Sequence, residues 1–492
     1  VSIGRSLGDM SKTETVTPPI RPVAPTSINP KGQRFTATQK IAMAVLLTAN
    51  FTLAVDFSIL NVALPHIGTD LGFATSALHW IVTSFALCAA GFTLFFGRVA
   101  DLFGRKRFFL VGIVLLGVSS LIGGVATGPA MLICARVGQG IATAMVTPAA
   151  LSLMTTMFPE GPARSRALGL NGALMAAGFT TGAVLGGLLT GAISWRWAFF
   201  INVALAVVVI IVAPFALQEP KRDIRPRLDV PGAILITLAL VSLVFGIDSA
   251  GRGGWGHPAA WATILLAIAL FAVFFRVESA LREPLVAPGL LQGNVAWGNI
   301  AGLLAFATET SLVFLLTLYL QDILGYNAIT AGLILGVLGI GTVVGGLIAP
   351  KLIGKTNSKT AIIIGFLIQA AATLPLAFVS DNRTWLVPLL IVTFIGGIAN
   401  LVAIVGYTVT STAGVPSHQQ GLATGLVTMS QQVGIALGTP IMSAIATGFA
   451  TATLLPGLRA AIGVNAALCL VAALLIAAFL HLPRASAATH EA

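Results

Sequence analysis

The chain has 492 residues, of which 57% are hydrophobic and only 9% are charged. Soluble domains carry roughly 25% charged residues, so this composition excludes a soluble protein and indicates one that lies in a lipid bilayer. The net charge of +11 does not indicate a nucleic-acid partner, because the basic residues fall in short loops beside apolar runs.

The three cysteines, Cys88, Cys134 and Cys469, lie inside apolar runs and have no metal-ligand spacing. We therefore expect no disulfide framework, no metal and no other cofactor. Residues 1–38 are rich in Pro, Thr, Ser, Lys and Arg and contain no apolar core. They predict a disordered cytoplasmic tail rather than a signal peptide.

Fourteen apolar runs are long enough to cross a bilayer as helices, which takes about 20 residues each. A helix satisfies its own backbone hydrogen bonds in lipid, so we expect an all-α integral membrane protein. The predicted limits of the runs are 40–64, 77–97, 108–126, 130–154, 167–191, 197–217, 230–250, 259–278, 295–320, 329–349, 360–379, 385–411, 420–449 and 460–481.

Most Lys and Arg residues precede the first predicted helix or follow even-numbered ones. The opposite side holds only Arg196, Arg252, Arg383 and Arg459. The positive-inside rule therefore predicts that both termini are cytoplasmic in a multi-pass protein of the cell membrane. A valine at position 1, ahead of the first methionine, favours a bacterial start codon and hence a bacterial source.

An internal repeat relates the fifth and thirteenth predicted helices. Three glycines of the fifth recur in the thirteenth with equal separations, as Gly169 and Gly425, Gly178 and Gly434, Gly182 and Gly438. Helices 1–6 then map onto helices 9–14, which suits a transporter with a central site. The predicted parts are the tail 1–38, an N-terminal six-helix half 39–218, two inserted helices 229–279, a C-terminal six-helix half 294–482 and a tail 483–492.

A charged loop joins the second and third predicted helices. It reads Gly97-Arg98-Val99-Ala100-Asp101-Leu102-Phe103-Gly104-Arg105-Lys106-Arg107. Its glycines permit a tight turn. The loop resembles the signature loop of the major facilitator superfamily, with Leu102 in place of the usual basic residue. The resemblance implies a transporter of that fold, and a conformational-switch role for Gly97, Asp101, Gly104, Arg105 and Lys106.

Asp56 stands inside the first apolar run, and Asn61 to Pro65 follow it. A carboxylate at membrane depth costs about 3 kcal/mol on insertion scales, so it needs a partner, water or a proton. Asp56 is therefore a candidate proton-coupling residue, the alternative being a structural hydrogen-bonding Asp. The segment resembles the first helix of the fourteen-helix drug:proton antiporters of the superfamily.

Arg136 begins the fourth helix within a stretch, Leu132 to Gly140, that resembles another motif of the superfamily. Its guanidinium stays charged at any pH. Counted from the outer surface, Arg136 and Asp56 lie at similar depths, roughly 9 and 12 Å. We expect an ion pair that protonation of Asp56 would weaken; a purely structural pair is the alternative.

The fifth helix carries small residues at four-residue spacing, which let helices pack closely. These are Gly178, Gly182, Gly186 and Gly187. They match the antiporter motif of the family, which marks exporters, except that Ala183 replaces its proline. A generic packing face is the alternative.

Glu309 lies near the middle of the ninth helix and is a candidate for a proton site or for binding a cationic substrate. The alternative is a satisfied hydrogen bond to Ser or Thr. Other polar residues inside apolar runs could line a cavity or join helices. They are Gln139, Asn400, Tyr407 and Gln431.

The resemblance covers about residues 40–480. It implies a proton-coupled exporter of small lipophilic compounds such as drugs, antibiotics or dyes, acting as a monomer with protons and a small-molecule substrate as partners. The alternative is an exporter, or a proton symporter, dedicated to one endogenous metabolite. We expect no enzyme, because the six histidines show no metal-ligand pairing and no nucleophile stands beside a base.

Overall fold

The computed structural model describes residues 36–158, 162–219, 229–254, 256–281, 292–413, 415, 420–451 and 453–481. Some side chains within these ranges, including that of Asp101, also lie outside the description. The predicted tail 483–492 and nearly all of the tail 1–38 fall outside the described residues.

The described residues form α-helices joined by short turns, with no β-strand among them. The helices are α1 Ala37–Ile59, α2 Leu64–Leu71, α3 His79–Phe103, α4 Arg105–Gly124, α5 Pro129–Met157, α6 Pro162–Ala192, α7 Trp197–Ala216, α8 Val230–Gly253, α9 Pro258–Ala280, α10 Gly293–Leu318, α11 Ala328–Lys355, α12 Ser358–Thr373, α13 Leu386–Thr412, α14 Gln420–Gly448 and α15 Leu455–Phe479.

Twelve segments of the described chain are long and apolar enough to cross a membrane. The sequence predicts fourteen, and the two that are not among the twelve are α6 and α14, in which some residues fall outside the description. In α6 only Ala177–Ala192 is found, as a shorter apolar helix. The protein is therefore an all-helical membrane protein.

The first predicted helix, 40–64, is divided in the structure. α1 ends at Ile59, and a short α2 begins at Leu64, with Pro65 in its first turn. Proline has no N–H to continue the hydrogen-bond ladder of the preceding helix, but it is well tolerated in the first turn of a new one. This break places Asp56 in the last turn of α1.

Two glycines with positive φ mark the two ends of the bundle. Gly72 ends α2 at φ 75°, and Gly104 joins α3 to α4 at φ 109°. Glycine adopts these conformations without the strain that a Cβ would cause. We call the end with the turns after α1, α4, α6, α8, α10, α12 and α14 the Gly72 end, and the other the Gly104 end.

The helices pack in two groups with matching neighbours. In the first group α1 packs on α6, α3 on α5, and α4 on α5 and α7; in the second α10 packs on α14, α11 on α13, and α12 on α13 and α15. The groups meet where α6 contacts α11 and where α3 contacts α14. α8 and α9 pack on each other, and α8 also packs on α3 and α14.

At the Gly72 end a single apolar cluster includes residues of both groups. The side-chain amide of Gln321, which follows α10, donates a hydrogen bond of 2.7 Å to the carbonyl of Val62, which follows α1. The two groups are therefore in close contact at this end.

Candidate functional site

Arg136 and Asp56 form an ion pair in the middle of the first group of helices. The guanidinium Nη1 lies 3.0 Å from Oδ2 of the carboxylate. Both residues are completely buried, at 0% exposure. The predicted pair is thus confirmed, and Asp56 faces protein rather than hydrocarbon.

Other groups hold the guanidinium in place. Arg136 Nε donates to the carbonyl of Ile81 at 2.8 Å, and Nη1 also donates to Oε1 of Gln139 at 2.8 Å. The guanidinium carbon lies 4.4 Å from the ring centroid of Phe85, within the range of a cation–π interaction. Nη2 has no hydrogen-bond partner in the described part of the chain.

The carboxylate of Asp56 accepts hydrogen bonds at both oxygens. Oδ1 accepts from Nε2 of Gln139 at 2.9 Å and from Nδ2 of Asn202. Nε2 of Gln139 also donates to the hydroxyl of Ser120 at 2.9 Å. The network therefore ties α1 to α3, α4, α5 and α7.

Sequence reasoning did not assign Asn202 or Ser120 to this site, and it placed Gln139 only as a candidate cavity residue. All three are completely buried. Asn202 is a polar amide inside the strongly apolar run of α7, and this contrast is the sequence feature that could have identified it. The carbonyl of Ile81 could not have been found, because every residue carries one.

The arrangement satisfies an ionised Asp56. A proton on the carboxylate would remove its negative charge and turn one accepting oxygen into a donor. Arg136 would then keep its charge without its counter-ion, and an unpaired buried charge costs about 3–5 kcal/mol. Protonation can therefore favour a different packing of α1 against α5.

The glycines of α6 bring two helices into close contact with it. A Cβ on Gly178 would lie 3.1 Å from the carbonyl oxygen of Phe51, and one on Gly182 would lie 2.7 Å from that of Val55. A Cβ on Gly186 would overlap the carbonyl of Ile59. These three positions press α6 onto α1 beside Asp56.

Gly187 faces the second group of helices. A Cβ there would lie 2.9 Å from Cα of Gly332 in α11. The glycine motif of α6 thus serves a contact within the first group and a contact between the groups.

Glu309 lies in α10, 8% exposed, and lines a small cavity among α10, α11, α12 and α13. No other described residue hydrogen-bonds to it or forms an ion pair with it. The other lining residues are Leu312, Leu338, Gln369, Ala372, Thr373, Leu376, Val392, Thr393, Gly396, Gly397 and Asn400.

A second polar network lies beside this cavity. Gln369 donates to the hydroxyl of Thr308 at 3.3 Å, and Asn465 donates to the Thr308 carbonyl at 2.9 Å. Asn400 donates to the carbonyl of Ala305 at 3.1 Å and to Oε1 of Gln369 at 3.3 Å. Its own Oδ1 is buried without a partner among the described residues.

The remaining predicted cavity residues lie elsewhere. Tyr407 is 1% exposed, and its ring packs edge-on to Phe306 with 6.3 Å between the ring centroids. Gln431 is half-buried on α14. Neither lines the cavity of Glu309.

The predicted switch loop lies at the Gly104 end. Lys106 donates to the carbonyl of Pro214 at 2.7 Å, which places a cation at the last turn of α7, where the helix dipole favours it. Arg105 is the first residue of α4, and a Cβ on Gly97 would lie 3.5 Å from Pro148. The side chain of Asp101 is outside the described part, so its predicted switch role stays a prediction.

Known proteins match both the sequence and the fold. The cephamycin export protein CmcT of Amycolatopsis lactamdurans is 37% identical over 427 residues, which cover 85% of this chain and 86% of that protein. The puromycin resistance protein of Streptomyces alboniger is 35% identical over 418 residues, covering 84% and 82%.

Among solved structures, the human organic anion transporter MFSD10 aligns with this chain with a TM-score of 0.60 and 15% identity. The alignment covers 90% of this chain and all of that one, so the two share a fold. The family model described as Major Facilitator Superfamily matches residues 46–439 and 300–492. The chain belongs to the major facilitator superfamily.

Proposed function

We propose that this protein is a proton-coupled exporter of small lipophilic compounds, with fourteen spans and both termini in the cytoplasm of a bacterium. The observation that carries the proposal is the buried Asp56–Arg136 pair, because a single proton on Asp56 changes the net charge of the pair. Relatives named for cephamycin export and for puromycin resistance support the export of drug-like compounds.

In this proposal the Gly72 end faces outward and the two groups of helices rock about a central site. A proton entering from outside neutralises Asp56 and releases Arg136 from its counter-ion. The resulting change in packing of α1 against α5 is coupled to release of the substrate outward. Each proton supplies about 2.3 kcal/mol per 100 mV, enough for useful export.

The test is transport of a lipophilic cationic dye by purified protein in liposomes under an imposed pH gradient. We expect Asp56→Asn, which keeps the size of the side chain but takes up no proton, to lose at least about 90% of gradient-driven transport. Dye binding is retained. Asp70→Asn, which removes an exposed carboxylate at the Gly72 end, is the matched control and stays close to wild type.

Gradient-driven transport by Asp56→Asn at the wild-type rate would refute the role of Asp56. A panel of structurally unrelated drugs in the same liposomes separates a multidrug exporter from a carrier of one metabolite, which would transport only one of them.

A further inference from the structure

Glycine contacts relate the two groups of helices residue by residue. A Cβ on Gly140 of α5 would overlap the carbonyl of Phe85 in α3. A Cβ on Gly397 of α13 would overlap the carbonyl of Leu338 in α11 in the same way. The pair of α5 and α3 therefore corresponds to the pair of α13 and α11, with Phe85 matching Leu338.

A second contact fixes the register of the next pair. Gly112 of α4 lies against the carbonyl of Ala142 in α5, and Gly365 of α12 lies against the carbonyl of Ala399 in α13. Ala142 and Ala399 each stand two residues after the glycine used in the first comparison. The two contacts therefore give the same register for α5 and α13.

This register assigns counterparts to the residues of the Asp56 network. Arg136 stands four residues before the α5 glycine, and Thr393 stands four before the α13 glycine. Gln139 and Gly396 directly precede those glycines. The second group thus has the hydroxyl of Thr393 where the first has the guanidinium of Arg136, and it has a glycine where the first has the amide of Gln139.

All of these smaller counterparts line the cavity of Glu309. Thr393 and Gly396 are lining residues, and so is Leu338, the counterpart of Phe85. Thr373 stands eight residues after Gly365 of α12, just as Ser120 stands eight residues after Gly112 of α4. Thr373 is therefore the counterpart of Ser120, and it also lines the cavity. The cavity therefore lies where the first group holds its guanidinium.

The first group thus fills this position with a cation, and the second leaves an equivalent space there that Glu309 lines. Glu309 is 92% buried with no partner among the described residues, and Oδ1 of Asn400, 2% exposed, also lacks one. We propose that this cavity binds the primary ammonium group of a transported substrate. The inference rests on the proposed export function and names a substrate class for it.

The chemistry of the lining favours an ammonium with N–H donors. An ammonium offers three donors, and Glu309, Asn400 and the hydroxyls of Thr373 and Thr393 offer oxygen acceptors. The apolar lining residues, such as Leu312 and Val392, suit the methylene group that adjoins the ammonium. A quaternary ammonium has no N–H and would leave these acceptors unsatisfied.

The binding test uses the purified full chain and two probes, a primary alkylamine and its N,N,N-trimethyl analogue at equal ionic strength. Calorimetry should show at least about tenfold tighter binding of the primary amine to wild type. Glu309→Gln, which is similar in size, should lose that preference. Equal binding of both probes, or binding of sodium ions in place of either, would overturn the proposal.

Filling the cavity provides an independent test. Thr393→Arg places a cation beside Glu309, at the position where the first group has Arg136, and should weaken amine binding at least tenfold. Thr393→Leu should weaken it to the same degree, because the larger side chain fills the cavity. Unchanged amine binding in a folded Thr393→Leu would count against the site.

The two proposals can fail separately. Asp56→Asn should lose gradient-driven transport but keep the preference for the primary amine. A wild type that prefers the primary amine but exports no drug under a pH gradient would reject the export function and leave the ammonium site standing. Loss of transport in Asp56→Asn with no amine preference in wild type would leave the export function standing and reject the ammonium site.

Discussion

Asn202 donates to the same oxygen of Asp56 as Gln139 does, yet it belongs to a different helix. A hydrogen bond to a charged group contributes about 1.5–3 kcal/mol. We expect Asn202→Ala to reduce gradient-driven transport about tenfold. The pH profile of transport should move to higher pH, because the ionised carboxylate loses a donor.

Asn465→Ala is the matched control for this positioning role. Asn465 donates to the carbonyl of Thr308 and the hydroxyl of Ser311 but to no carboxylate. Asn465→Ala should lower thermal stability about as much as Asn202→Ala does, and it should leave the pH profile of transport unchanged. Identical profiles for wild type and Asn202→Ala would assign Asn202 a structural role only.

Asp70 gives a pH prediction outside the membrane-spanning segments. Hydrogen bonds from Arg196 and Trp195, at 2.7 and 2.9 Å, lower its pKa from the ordinary value of 3.8. Because the folded-state pKa is lowered, the stabilisation is present above pH 3.8 and is lost as the pH falls through the folded-state pKa. Asp70 is 46% exposed, so the effect is small.

Melting temperatures of wild type and Asp70→Asn in detergent test this. Wild type should melt slightly higher between pH 5 and 7, and the difference should vanish in more acidic solution. A difference that grows on acidification would contradict the assigned cause.

The charged members of the network could be predicted from the sequence, and the neutral ones could not. A buried Asp or Arg is so costly in lipid that each demands a partner, which is why the pairing of Asp56 with Arg136 followed from their depths. Ser120 and Asn202 carry no such penalty, so apolar periodicity gives no reason to bring them together. Their roles appear only once the helices are packed.

At the scale of elements, lipid forces helices wherever the chain is apolar for long enough, and hydropathy therefore predicts most of them closely. Their ends depend on local chemistry that hydropathy ignores. The helix predicted at 360–379 includes Pro375. In the structure α12 ends at Thr373 and a 3₁₀ turn, Leu374–Phe378, follows it. The α-helix stops there because proline has no N–H to extend the ladder of hydrogen bonds.

The contact of α6 with α11 gives a prediction at this scale. A Cβ on Gly332 would lie 2.9 Å from both the Ala183 carbonyl oxygen and Cα of Gly187. We expect Gly332→Leu to separate the two helices and to reduce transport at least about tenfold. Gly354→Leu in the same helix meets open space and should stay within about twofold of wild type. Equal transport by the two variants would show that close packing here is dispensable.

Rocking of the two groups requires α6 and α11 to part at some stage of the cycle, and this can be tested in the whole molecule. A Cβ on Gly336 would lie 2.7 Å from Cγ2 of Val184. Cysteines at these two positions therefore fall near the separation of about 3.8 Å between Cβ atoms that a disulfide needs. We expect oxidation of Val184→Cys/Gly336→Cys to stop transport and reduction to restore it.

A matched disulfide within one group distinguishes rocking from general stiffening. A Cβ on Gly112 would also lie 2.7 Å from Cγ2 of Val146, and these two positions belong to α4 and α5 of the first group. Oxidised Gly112→Cys/Val146→Cys should keep most of its transport, because the group moves as a unit. Both pairs are made in a background without the native Cys88, Cys134 and Cys469. Full transport by the oxidised α6–α11 pair would mean that the two groups do not separate along this contact, and substrate would have to leave the bundle by another path.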